Sequence, residues 1–250
     1  APLGKNVMPL GAWISPPPAN YGGLGNPNYI TNENYKTLAE SGLNFIQAIY
    51  ERADLKLSDV MMALEFANAN GIKYLVRDQQ AIAGIDDIEV MEQSVARYMN
   101  EPAFLGNMIF DEPSTIAMPD LGSLHVNYRK SFPNSLFYIN LLPTYASKNQ
   151  LFISVTNPGG GASTRDDYYQ YLNTYISNVK PRFISYDYYP CEGTFPNLKS
   201  GYYDNLSIIR EVAMDVNIPF WVFIQTCSFG PGIRNPNKEE INWQVNTALA

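Results

Sequence analysis

The sequence predicts a parallel α/β barrel of the (β/α)8 TIM type in which seven βα units are present and the eighth strand and helix are missing. Three observations predict it. Short apolar runs of strand character alternate strictly with segments of helical periodicity, the pattern of a parallel sheet joined by crossover helices. Strand starts recur about every 30 to 45 residues, the size of one βα unit. A doubly wound open sheet would carry a glycine-rich phosphate loop after its first strand, and 16-PPPANYGG does not read as one.

The elements follow in order. The strands are expected at 7-VMPLGAWIS, 44-NFIQAIY, 73-KYLVRD, 104-FLGNMIFDE, 135-SLFYINLL, 182-RFISYDYY and 219-PFWVFIQT. Between them, Leu57, Val60, Met61 and Leu64 keep the i, i+3, i+4, i+7 spacing of a helix with one buried face. So do Ile88, Met91 and Val95; Tyr169, Leu172, Ile176 and Val179; and Leu206, Ile209, Ala213 and Val216. Gly42, Gly71 and Asn217 stand where helices should stop, because a left-handed residue closes the last turn. The closing segment 237-NKEEINWQVNTALA is still helical at its last residue. The expectation is therefore a single barrel domain over 1–250, truncated at its C-terminus, with a missing segment or second domain to follow.

Composition narrows the function. The chain has 250 residues, 17 Lys plus Arg against 24 Asp plus Glu, and a net charge of −7. Without clustered cations it has no means of neutralising phosphates, so nucleic acid is not an expected partner. No apolar run reaches the length of a membrane span. One histidine, His125, excludes most zinc and two-metal hydrolase sites. No metal or other cofactor is expected. His125 itself reads as a surface or packing residue. With 18 Tyr, 12 Phe and 3 Trp but only 16% charged residues, the composition resembles secreted proteins that handle sugars. A secreted or periplasmic location is expected, with a signal peptide already removed. Cys191 and Cys227 should be neighbours at one rim, either paired or as two free thiols.

In a parallel barrel the chemistry sits at the C-terminal strand ends. Those ends read Trp13; Tyr50 and Glu51; Arg77 and Asp78; Asp111 and Glu112; Asn140; Asp187, Tyr188 and Tyr189; and Gln225. Strand ends are wetter than strand middles in any case, but many of these groups are carboxylates in a chain with few charges. Alternation along the sixth strand sets Ile184, Tyr186 and Tyr188 on one face and Ser185 and Asp187 on the other, which points Asp187 into the barrel mouth. Several ends have plainer readings. Arg77 with Asp78, or Glu51 with Arg52, would make structural ion pairs. Asn140 would satisfy backbone amides, and Trp13 would pack the barrel floor or rim. The loops 16-PPPANYGGLGNPNY, 144-TYASKNQLFISVTNPGGGAS, 190-PCEGTFPNLKSGYY and 228-SFGPGIRNPN should border the same rim, where Tyr21, Tyr29 and Tyr145 could stack on sugar rings.

The stretch 104-FLGNMIFDEPS resembles the fourth strand of barrel glycoside hydrolases, especially clan A, in which an Asn-Glu-Pro motif carries the general acid/base. Here it reads Asp111-Glu112-Pro113. With 185-SYDYYP and 221-WVFIQT, the whole chain is similar to glycoside hydrolases of gut Bacteroidetes. The resemblance implies Glu112 as acid/base, Tyr188 or Tyr189 beside the sugar, and an oligo- or polysaccharide substrate.

Two departures follow. Asp111 replaces the asparagine that grips a sugar hydroxyl, and adjacent like charges raise a carboxyl pKa, which suits an acid. Gln225 stands where the clan has its nucleophilic glutamate, and an amide cannot form a glycosyl ester. The second carboxylate is then Asp187, or the substrate's own acetamido group is the nucleophile (Asp111-Glu112 resembles the hexosaminidase pair), or the barrel only binds glycan. The favoured expectation is a glycosidase using Glu112 and Asp187. Asp111, Asn140, Tyr188, Gln225, Arg77, Asp78, Glu51 and Trp13 would contact substrate. A Schiff-base aldolase needs a lysine at a strand end, and Lys73 lies at the wrong end of its strand.

Overall fold

The computed structural model describes residue 3 and residues 7–48 and 56–250. Tyr50 and Glu51, expected at the end of the second strand, lie outside the described residues. Within them the chain runs β1 (Gly11–Ala12), α1 (Asn32–Glu40), β2 (Phe45–Gln47), α2 (Leu57–Ala69), β3 (Lys73–Val76), α3 (Gln79–Ile82), α4 (Ile88–Ala96), β4 (Phe104–Asp111), α5 (Met118–Ser131), β5 (Leu136–Asn140), α6 (Lys148–Phe152), α7 (Arg165–Val179), β6 (Ile184–Tyr186), α8 (Tyr202–Asp215), β7 (Phe220–Val222) and α9 (Lys238–Leu249).

Strands β1 to β5 form one sheet in sequential order, and β6 pairs in parallel with β7 in a second. Register in the first sheet sets Gly11 beside Phe45, Phe45 beside Lys73, and Tyr74 beside Phe104. One parallel bridge, Leu141 to Tyr186, follows β5 and reaches β6, with Leu141 N–H donating to the Ser185 carbonyl at 2.8 Å. The seven expected strand segments thus form a run of five and a pair, which meet at the Leu141–Tyr186 bridge.

Local chemistry explains the helix limits. Thr31 caps α1, Asp87 caps α4, and capping boxes open α7 (Thr164 with Asp167) and α9 (Asn237 with Glu240). Gly42, Gly71 and Asn217 take φ of 91°, 71° and 55° just past α1, α2 and α8, as their role as helix stops requires. The short α3 and α6 fall where the sequence shows no sustained periodicity.

By contacts the chain divides into two compact units, residues 1–109 with 123–138, and residues 110–122 with 139–250. In the first unit, Asp78 is buried and caps α3 by accepting from Gln80 N–H. It also accepts from Ser94 Oγ at 2.6 Å and Tyr98 Oη at 2.8 Å. Its ion-pair partner is Arg97, at 3.6 Å. The network continues through Asn107, which donates to Tyr98 Oη and accepts from Tyr128 Oη. Asp78 was expected to contact substrate; its oxygens are instead spent on this buried scaffold. Arg77 is buried and Trp13 half-buried in the same unit. His125 is buried and stacks on Phe137 with ring centres 4.6 Å apart, a packing role. Gly106 has no substitute, since a Cβ there would lie 2.0 Å from the Leu136 carbonyl oxygen.

In the second unit, α7 buries Tyr168, Tyr171, Leu172, Tyr175 and Val179. The apolar spacing of the sequence chose Tyr169 and Ile176, so the buried stripe is turned toward the tyrosines. Their hydroxyls explain the turn. Tyr168 Oη donates to the Leu142 carbonyl at 2.9 Å, and Tyr171 Oη donates to the Pro113 carbonyl at 2.9 Å while accepting from Leu142 N–H. These buried phenols tie α7 to the segments that follow β4 and β5. Cys191 is buried, Cys227 is exposed, and both are free thiols.

Candidate active site

The site lies in the second unit and begins where β4 ends. Asp111 is the last residue of β4, and Glu112 follows with φ of 54°. That left-handed conformation is costly for a residue with a side chain and is seen mostly where surrounding structure enforces it. Two contacts hold it: Glu112 N–H donates to the Asn140 carbonyl at 2.8 Å, and the Pro113 carbonyl is taken by Tyr171.

Asp187 follows β6 directly and is buried. Asn140, the last residue of β5, donates from Nδ2 to Asp187 Oδ1 at 2.7 Å and accepts at Oδ1 from Ser185 Oγ at 3.1 Å. Ser185 and Asp187 therefore reach the same amide, as their two-residue spacing along a strand requires. Asn140 was expected to hold a sugar hydroxyl. Its amide oxygen goes to Ser185 and one amide hydrogen to Asp187, which makes it a positioning group for the carboxylate.

The electrostatics mark the acids as one cluster. Burial, then the charge of Asp187, then that of Asp111 push Glu112 up from 4.5 to about 8. Asp187 is raised from 3.8 to about 7, chiefly by burial and by Asp111, against the lowering effect of its Asn140 hydrogen bond. The two titrate as a pair and not as independent groups. Tyr145 and Tyr189 complete the wall. Burial and the negative field of Glu112 and Asp187 hold both phenols far above their ordinary range, so they stay neutral donors. Nothing in the residue pattern singles out Tyr145 from the other loop tyrosines, because its place depends on the turn after β5.

The other expected residues sit elsewhere. Tyr188 is buried with its hydroxyl on the Ser200 carbonyl and its ring edge-on to Tyr145 and Tyr202. It supports Tyr145, and the hydroxyl beside Asp187 belongs to Tyr189. Gln225 is buried; its Oε1 accepts from Cys191 N–H at 2.8 Å, and Nε2 donates to the carbonyls of Cys191 and Arg234 at 3.2 and 2.8 Å. An amide so committed ties the Cys191 and Arg234 backbone segments and spends both of its N–H donors within the protein. Lys73 donates from Nζ to the Pro102 carbonyl at 2.6 Å, at the start of β3. Among the described residues no group of three acidic, His or Cys side chains has the geometry to hold a metal ion.

No protein-family model and no curated protein matches the chain. Solved structures do. A protein named a putative alpha-L-fucosidase, from Bacteroides thetaiotaomicron, superposes with a TM-score of 0.60 at 8% identity, covering 88% of this chain and 76% of its own. An HpcH/HpaI aldolase from Desulfitobacterium hafniense gives 0.48 at 12% identity, covering 88% and 79%. A beta-mannanase from the blue mussel Mytilus edulis gives 0.43 at 8%, covering 86% and 83%. At these identities the likeness is one of fold. The chain is an α/β protein related in architecture to TIM-barrel enzymes, and its neighbours include glycosidases alongside an aldolase.

Proposed function

We propose that the protein is a glycoside hydrolase in which Glu112 is the general acid and Asp187 the second carboxylate. The observation that carries this reading is Asn140, whose carbonyl accepts from Glu112 N–H at 2.8 Å and whose Nδ2 donates to Asp187 Oδ1 at 2.7 Å, so that one residue joins the two acid-bearing segments. Glycosidic cleavage needs one carboxyl that keeps its proton near neutrality and one that gives its proton up. Burial and like charges supply the first at Glu112. The Asn140 hydrogen bond favours the ionised form at Asp187, which would attack the anomeric carbon or activate water. Asp111 and Tyr189 stand beside the pair as partners for sugar hydroxyls. With Gln225 committed to backbone contacts, Asp187 is the second carboxylate in this reading. The fold likeness to the solved structure named a putative alpha-L-fucosidase is in keeping with this reading.

The test is turnover of a panel of aryl glycosides and neutral oligosaccharides by the purified protein, Glu112→Gln and Asp187→Asn. Loss of a general acid or base lowers kcat by about 10²–10⁴-fold, and that loss is expected in each variant while glycan binding persists. Wild-type rates in Glu112→Gln would remove the residue from its role. Glycan binding without turnover by the wild type would make this a carbohydrate-binding barrel.

A further inference from the structure

Beside the acids, in the same unit, lies a cavity of about 350 Å³ whose walls include Tyr145, Tyr188, Ser163, Arg165, Ser200 and Asp204. That volume is at the small end of the range for small-molecule sites. Tyr145 is shared: its ring forms part of the cavity wall beside Tyr188, the residue that follows Asp187, and its phenol lies in the field of Glu112 and Asp187. The ring is fixed edge-on against Tyr188 at 5.0 Å, with Lys199 Nζ 3.9 Å from its centre. The cavity is preformed. Thr144 N–H donates to Asn205 Oδ1 at 2.6 Å, and Ser163 Oγ donates to the Thr144 carbonyl at 2.9 Å, so the loop after β5 is anchored to α8 and to the start of α7.

We propose that this cavity is a second saccharide subsite, which takes an uncharged pyranose residue linked to the one held at the acids. The inference rests on the glycosidase reading and adds the substrate class, a neutral oligosaccharide. The cations near the cavity are already matched, Lys199 by Glu192 at 3.8 Å and Arg165 by Glu211 at 3.7 Å, so nothing calls for a uronate or sulfate. The Asp204 carboxylate is exposed in the cavity wall, on the first turn of α8. A carboxylate that accepts from two adjacent hydroxyls, set beside aromatic rings, suits a neutral sugar.

The experiment compares kcat/KM for an aryl monoglycoside, whose aglycone has no hydroxyls for Asp204, with kcat/KM for the tetrasaccharide of the same sugar. The panel is cello-, manno-, xylo- and laminaritetraose with the matching nitrophenyl glycosides, and trigalacturonate as the charged probe; calorimetry measures binding of each. Asp204 is exposed on α8, so Asp204→Ala should fold, and circular dichroism checks it. The ratio of tetrasaccharide to aryl glycoside efficiency should fall about tenfold in Asp204→Ala and recover in part in Asp204→Asn. An unchanged ratio in an active enzyme overturns the subsite and leaves the glycosidase reading standing. Tetrasaccharide binding that weakens in Asp204→Ala without any turnover supports the subsite and overturns the glycosidase. Preference for trigalacturonate overturns the neutral class, and a panel neither bound nor cleaved overturns both readings.

Discussion

Glu112 and Asp187 are pushed in the same direction by burial, but their neighbours differ. Asp187 has an amide donor from Asn140, while Glu112 has two carboxylates in its field. Under the proposed mechanism the active form carries the proton on Glu112 and none on Asp187, so kcat/KM should follow a bell whose two limbs belong to the pair and both lie well above the ordinary carboxylate range. Asp111 raises both groups. Asp111→Asn should therefore move both limbs to lower pH, whatever it does to the plateau. A pH–rate profile checks this, and limbs that stay in place would show that the charge of Asp111 is not felt by the pair. Asn140→Ala should act differently. Loss of its hydrogen bond raises Asp187, which drives the rising limb up toward the falling one and narrows the bell.

At the scale of elements, the acids depend on a helix that never touches substrate in the proposed chemistry. Tyr171 on α7 bonds both the Pro113 carbonyl, next to Glu112, and Leu142 N–H, two residues past Asn140. Tyr171→Phe leaves a buried acceptor and a buried donor without their partner, at about 1–3 kcal/mol for each group. The expected result is a loss of about 2–5 kcal/mol in urea unfolding, with a lower kcat as the turn carrying Glu112 relaxes. Unchanged stability would mean that water replaces the phenol. This dependence was not legible in the sequence, where apolar spacing placed Tyr169 on the buried face and gave no weight to phenols that need buried acceptors. The strand segments were legible because parallel strands are buried on both faces and read as continuous apolar runs. Asp111, Glu112 and Asp187 were legible as strand-end carboxylates. The work of Asp78, Asn140 and Gln225 was not, because an amide or carboxylate at a strand end looks the same whether its partner is a sugar or the protein's own backbone. Only the fold supplies that partner.

For the whole molecule, the shifted carboxyls pull stability in opposite directions with pH. Asp167, half-buried and lowered to about 2 by Thr164 and Lys148, and Glu240, lowered by Arg234, contribute stability that is present above their unfolded pKa values and lost as pH falls. Glu112 and Asp187 act the other way. Their folded pKa values lie above 4.5 and 3.8, so the unfolded chain releases protons first as pH rises. Their neutral forms favour the fold below about pH 4, and that contribution drains away until about pH 8, where both are ionised. The net charge of −7 at pH 7 adds self-repulsion at the upper end of that interval. Stability should thus peak on the acid side of neutrality. Glu112→Gln isolates one contribution, because the amide mimics the protonated acid in size and cannot ionise. Thermal melts of variant and parent should nearly coincide at pH 5 and separate progressively by pH 9, with the variant the more stable by on the order of a few kcal/mol. The same substitution is expected to abolish turnover, so gain in one measurement and loss in the other would come from a single buried proton. Melts that keep a constant separation across that pH range would mean that Glu112 titrates as an ordinary surface acid, and the proton needed by the proposed chemistry would have to come from elsewhere.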